Sequence, residues 1–188
     1  MRLIRTISSL ILLSWGIGFF YFNHVIHNYV LDYKTTTEAI LVFGANKQRL
    51  HIAANLIHHN YSHLLLITGE DYYFNYKNYL KEQGIEEYHF IFDERPQGIT
   101  KKSYILDIYY LLKRYKINSI RLVIAPESIP RAIYELNLCL PKTTHIVLQP
   151  VYLKRKNYKS VFIEYNKYLL IILSSIFGLQ DELNLSYS

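Results

Sequence analysis

Two hydrophobic patterns divide this chain. From Thr6 to Leu31 no Asp, Glu, Lys or Arg interrupts it, and 7–22 is largely apolar, with Leu10, Ile11, Leu12, Leu13, Trp15, Ile17, Phe19 and Phe20. At about 1.5 Å per residue, that stretch makes a helix slightly shorter than a hydrocarbon core of roughly 30 Å. Val25 and Ile26 can extend it, Arg2 and Arg5 can snorkel, and Tyr21 and Phe22 suit the far interface. A core helix would show a polar face, and a signal peptide would show a small-residue cleavage site. The chain instead continues Tyr21-Phe22-Asn23-His24, which favours an uncleaved anchor. The expected boundaries are a cytoplasmic N-terminus at 1–5, a transmembrane anchor at 6–26, a connecting segment at 27–37 and a folded domain at 38–188. Arg2 and Arg5 lie before the span, whereas Asp32 and Lys34 cancel after it. This asymmetry predicts a single pass through a bacterial inner membrane with the domain in the periplasm.

The second pattern is an alternation. Short apolar runs at 39–43, 64–68, 89–92, 120–125 and 145–148 read as buried parallel strands. Between them apolar residues recur at helical spacing: Leu50, Ala53, Ala54 and Ile57; Tyr76, Tyr79 and Leu80; Ile105, Ile108, Leu111 and Leu112; Ala132, Leu136 and Leu140. The predicted fold is α/β: a three-layer, Rossmann-like parallel sheet of about five strands with helices on both faces, preceded by one transmembrane helix. A last helix is expected at about 161–177. Its uncharged run, 168–180, is short for a second span, so packing on the sheet or lying at the membrane surface is the expected setting.

Composition adds less. Nineteen tyrosines are as readily a compositional bias as a binding surface. Cys139 is the sole cysteine, so no disulfide forms within the chain, and its apolar surroundings favour a small buried side chain over a reactive thiol. The net charge of +6 includes a cluster at Lys154, Arg155, Lys156 and Lys159. A solvated face is the default reading, and anionic lipid head groups gain weight beside a membrane anchor. No nucleic-acid partner is expected, because no nucleic-acid fold or motif is present.

In a parallel sheet, ligands collect outside the carboxyl ends of the strands. The first such loop, Phe43-Gly44-Ala45-Asn46-Lys47-Gln48-Arg49, offers a glycine for close approach, a helix N-terminus for an anion and Arg49 as a clamp. A plain turn with a surface arginine would read the same, and the dinucleotide fingerprint is absent. Thr68 and Gly69 end the second strand, and Glu70 is a general base or a helix cap. Asp93 and Glu94 follow the third strand, with Thr100 as a cap and Lys102 nearby; Ser128 and Arg131 follow the fourth. The ligand-binding set is Gly44, Asn46, Arg49, Thr68, Gly69, Glu70, Glu94, Thr100, Lys102, Ser128 and Arg131. Glu70 and Glu94 are the candidate acids or bases, and a small anionic ligand is the expected partner. His51, His58, His59 and His63 lack zinc-ligand spacing, so no metal is assigned, and no nucleophile elbow is present. Cofactor, oligomeric state and the presence of catalysis stay open.

The order of these residues resembles the YdcF, SanA and ElyC family of bacterial envelope proteins. The likeness covers about 37–151 and runs from Ala39-Ile40-Leu41-Val42-Phe43-Gly44 through Arg49, Ala53-Ala54, Thr68-Gly69, Leu80, Gly84-Ile85, Glu94 and Thr100 to Val123-Ile124-Ala125 and Arg131-Ala132. Glu164-x-x-Lys167 adds the start of the last helix. The chain departs from the family at Gly44-Ala45-Asn46, at Lys101-Lys102-Ser103 and at Ser128, where members carry more glycines, a glutamate and a histidine. The resemblance implies an envelope role, in peptidoglycan-precursor metabolism or envelope integrity. The departures imply a more anionic ligand or lost catalysis, and leave a non-catalytic interaction module as the alternative.

Overall fold

The computed structural model describes residues 2–44, 46–68, 73–92, 104–152 and 157–177. The chain divides into two compact units, 30–125 with 132–152, and 1–29 with 126–131 and 153–188.

The first unit is the α/β body. Its strands are β1 (Ala39–Phe43), β2 (Leu64–Thr68), β3 (Phe90–Phe92), β4 (Ser119–Ile124) and β5 (His145–Pro150), in the order β3-β2-β1-β4-β5. Every described pairing is parallel, with Leu41 opposite Leu66 and Leu122. All five β1 residues are buried, so both faces of the sheet are covered and the run needs no polar alternation. One face carries Ile40, Val42, Leu65, Ile67 and Val123 against Leu50, Ala53, Ala54 and Ile57 of α2 (Lys47–His58) and Leu80 of α3 (Tyr73–Glu82). By the right-handed rule for parallel crossovers, α4 (Tyr104–Arg114), with buried Ile108 and Leu112, is assigned to the opposite face. The buried Ala132 and Leu136 of α5 (Ile129–Cys139) belong to this body too.

Three helices stop by one device. Asn60, Gly84 and Lys116 take positive φ of 60°, 75° and 53°. The N–H groups of Tyr61, Ile85 and Ile117 then reach back to the carbonyls of Leu56, Leu80 and Leu112 at 3.0, 2.9 and 2.9 Å. This left-handed cap satisfies carbonyls that the helix would leave open.

Arg121 is fully buried in β4, a charge set among Ile120, Leu122, Val123 and Ile124. Its Nη1 donates to Asp32 O at 2.7 Å and Gln149 Oε1 at 3.1 Å, its Nη2 donates to Thr35 O, and its guanidinium lies 4.8 Å from the Tyr61 ring centroid. Asp32 accepts from the N–H groups of Lys34 (2.7 Å) and Thr35 (2.9 Å) and from the Thr35 hydroxyl (2.6 Å). The connecting segment is thereby stitched to the body. The Thr35 hydroxyl, then the two amides, hold the Asp32 carboxyl at about 2 despite some burial, with the Arg121 charge adding to the effect. Burial pulls the Arg121 pKa down, and Asp32 and Tyr61 oppose that shift.

The second unit is helical. It comprises α1 (Arg2–His27), a 3-10 turn at Pro126–Ser128, the start of α5 and α6 (Tyr158–Ile176). The stretch Ile4–His27 is long and apolar enough to cross a membrane. Residues 4–14 are exposed all round, whereas Phe22 and Ile26 are buried. Asn157 caps α6 by accepting the Ser160 N–H at 3.2 Å, which starts the helix three residues before the position expected from periodicity. Within this unit α6 packs on α1, a partner that the sequence reading did not foresee. Tyr165 is ringed by Trp15, Phe19 and Phe22 at centroid distances of 5.5, 5.5 and 5.3 Å, and its hydroxyl donates to Trp15 O at 2.9 Å. Gly18 permits this approach, because a Cβ there would lie 2.4 Å from the Tyr165 hydroxyl.

Candidate functional site

The strand order reverses direction between β1 and β4, and the carboxyl end of β1 opens at that switch point. Beyond Phe43 the chain turns through Gly44 at φ +65°, a left-handed conformation that costs a residue with a Cβ energy. Asn46 then caps α2, accepting the Arg49 N–H at 2.9 Å through its side chain. Arg49, one turn into the helix, folds back over the strand end, and its Nη1 donates to Phe43 O at 3.1 Å and also to Gly44 O. A Cβ on Gly44 would lie 3.1 Å from that nitrogen, so the glycine leaves room for the guanidinium as well as the turn. Thr68 closes β2 beside Phe43 in register, fully buried, with its hydroxyl donating to Val42 O at 3.1 Å.

Gly44, Asn46, Arg49 and Thr68 therefore stand close together at this strand end, each engaged by its own backbone surroundings. Thr68 donates its hydroxyl proton to the neighbouring strand. Arg49 commits one guanidinium nitrogen to the turn that it braces. The turn at the start of α2 is thus half-buried, with the Arg49 guanidinium and the helix N-terminus beside it.

Ser128 and Arg131 belong to the helical unit instead. Arg131 Nε donates to Glu164 Oε2 at 2.8 Å, and Lys167 Nζ donates to Glu164 Oε1 at 2.9 Å. Burial pushes the Glu164 carboxyl up, but its bonds and charge contacts with Arg131 and Lys167 outweigh that and hold it below the ordinary range. Glu127 Oε1 accepts from the Ser160 hydroxyl at 2.8 Å. The signal for the Arg131 partner was the i, i+3 pair Glu164-x-x-Lys167. Arg121 had a signal too, as a lone charge inside Ile120-Arg121-Leu122-Val123-Ile124.

Gly69, Glu70, Glu94, Thr100 and Lys102 lie outside the described residues, as do Lys154, Arg155 and Lys156. Among the described residues no group of three His, Cys, Asp or Glu side chains is placed to hold a metal. His58 Nε2 bonds with Gln83 O at 2.8 Å, and His89 Nδ1 with His63 O at 3.0 Å.

No protein-family model matches the chain, and no solved structure matches it. The chain is similar to the uncharacterized protein RC1356 of Rickettsia conorii, with 29% identity over 174 residues, 91% of this chain and 99% of that protein. It is also similar to the uncharacterized protein RP875 of Rickettsia prowazekii, with 28% identity over 163 residues, 85% of this chain and 91% of that one. The similarity thus runs through nearly the whole of each chain.

Proposed function

We propose that this is a membrane-anchored envelope protein of the YdcF, SanA and ElyC type, whose α/β body binds a small anionic ligand at the carboxyl end of β1. The observation that carries this reading is the turn at the topological switch point, where Gly44 in a left-handed conformation and the guanidinium of Arg49 meet the capped start of α2. The anchor reading is supported by an N-terminal helix of sufficient length and apolarity. Residence in a bacterial inner membrane with a periplasmic body follows from Arg2 and Arg5 on the near side, and a role in envelope homeostasis from the resemblance.

The test is thermal unfolding of the full chain in detergent with inorganic phosphate, nucleotide sugars and S-adenosyl compounds. One of these should raise the midpoint in proportion to the logarithm of its concentration, and Arg49→Ala should abolish the shift. No shift with any of them, or an equal shift in Arg49→Ala, overturns the ligand site. A non-catalytic interaction module is the second reading. It is favoured by Arg49 Nη1 being occupied with the carbonyls of its own strand.

A further inference from the structure

A helix that belongs to a folded unit normally buries its apolar stripe. In α6 that stripe is bare. Phe162, Ile163, Leu170, Leu173, Ile176 and Phe177 are between 41% and 70% exposed. At 100° per residue these six side chains fall within an arc of about 140°. The buried residues Val161, Glu164 and Tyr165 lie on the adjoining arc, where Tyr165 meets α1. The helix therefore has one face for α1, which Phe162 and Asn166 also meet at Trp15, and, from Leu170 onward, an apolar face that no described residue of its own unit covers.

We propose that this second face beds into the surface of a lipid bilayer, which makes α6 an interfacial membrane element beside α1. The proposal rests on the anchor reading above. The helix that α6 packs against presents its own exposed apolar residues, among them Leu10, Leu13, Ile17 and Phe20, so the two apolar surfaces belong to one unit. Charge decides between lying on the bilayer and crossing it. Lys159, Glu164 and Lys167 interrupt the first half, and the uncharged run 168–180 contributes only the nine helical residues 168–176, about 14 Å and half a hydrocarbon core. Glu164 is neutralised by Arg131 and Lys167, and the exposed Lys159, at the N-terminal end of the arc, and Lys167, about 40° outside it, suit anionic head groups. An amphipathic helix of this kind settles about 5–10 Å into the boundary between head groups and acyl chains.

Trp15 is the sole tryptophan, which gives a direct test with the full chain. Trp15→Phe is combined in turn with Leu173→Trp, Phe177→Trp and, as a solvent-facing reference on α4, Tyr110→Trp. Each protein is reconstituted in vesicles of phosphatidylcholine and phosphatidylglycerol and probed with acyl-chain-brominated lipid and with aqueous iodide. At positions 173 and 177 brominated lipid should cut the emission roughly twofold while iodide has little effect, and position 110 should show the reverse. Iodide quenching at 173 and 177 equal to that at 110 overturns the proposal and leaves the anchor standing. Protection from both quenchers, with cross-linking between chains, overturns it in favour of a second copy covering the face. A chain that does not float with the vesicles overturns both readings.

Discussion

The two units are held together by different chemistry. The α/β body buries aliphatic side chains, with Ile40, Leu41, Val42, Leu65, Leu66 and Leu122 at the centre of a parallel sheet. The helical unit relies on rings: Trp15, Phe19, Phe22 and Phe162 around or beside Tyr165. Aliphatic packing needs only volume and burial. Ring packing also needs close backbone approach and a place for each polar tip, here supplied by Gly18 and by Trp15 O. Among the described residues each unit buries one charged side chain, and these differ in the same way. Arg121 in the body is met mainly by carbonyls and a ring, whereas Glu164 in the helical unit is met by two cations.

The sharpest way to break this contrast is at the body's buried charge. Arg121→Ala should cost about 4 kcal/mol, since it leaves three oxygens without their donor and a cavity in β4. Urea unfolding would measure the loss, and protease cutting near Lys34 should accelerate as the connecting segment comes free. Next is the aliphatic core, where Leu41→Ala should cost about 3 kcal/mol by the same measurement.

In the helical unit the decisive residue is small. Gly18→Ala should cost about 1–2 kcal/mol, because its methyl and the Tyr165 hydroxyl cannot share the space. Trp15 emission should change with it, while Leu41→Ala should leave the emission of the folded protein as it is. Acid should test the Asp32 carboxylate of the connecting segment and the buried Glu164. Asp32 and Glu164 have folded pKa values below their unfolded ones, so the stability they provide is fully present above about pH 5 and is lost as pH falls. For Asp32 the loss runs from near 3.8 down towards 2, and Asp32→Asn should flatten that part of the stability profile. The smallest effect is a gain: Lys116→Gly should add about 0.5 kcal/mol by relieving a left-handed lysine at the end of α4.

Much of the body was legible because its signals are local. Strand runs and helical spacing lie within a few residues of one another, and they fixed a parallel α/β fold and its five strands. The turn at Gly44 and Arg49 was legible for the same reason. The roles within it were not. That Arg49 bends onto its own strand, and that Thr68 donates to Val42, depends on distances that no local pattern encodes.

By itself the sequence determined the membrane-length helix and the order of strands and helices, because burial periodicity is written residue by residue. Tertiary structure alone decided that Arg121 secures the connecting segment, that Arg131 belongs with Glu164, and that α6 rests on α1 through Gly18. Each of these joins groups from 33 to 151 residues apart, and only folding brings such groups within reach of one another.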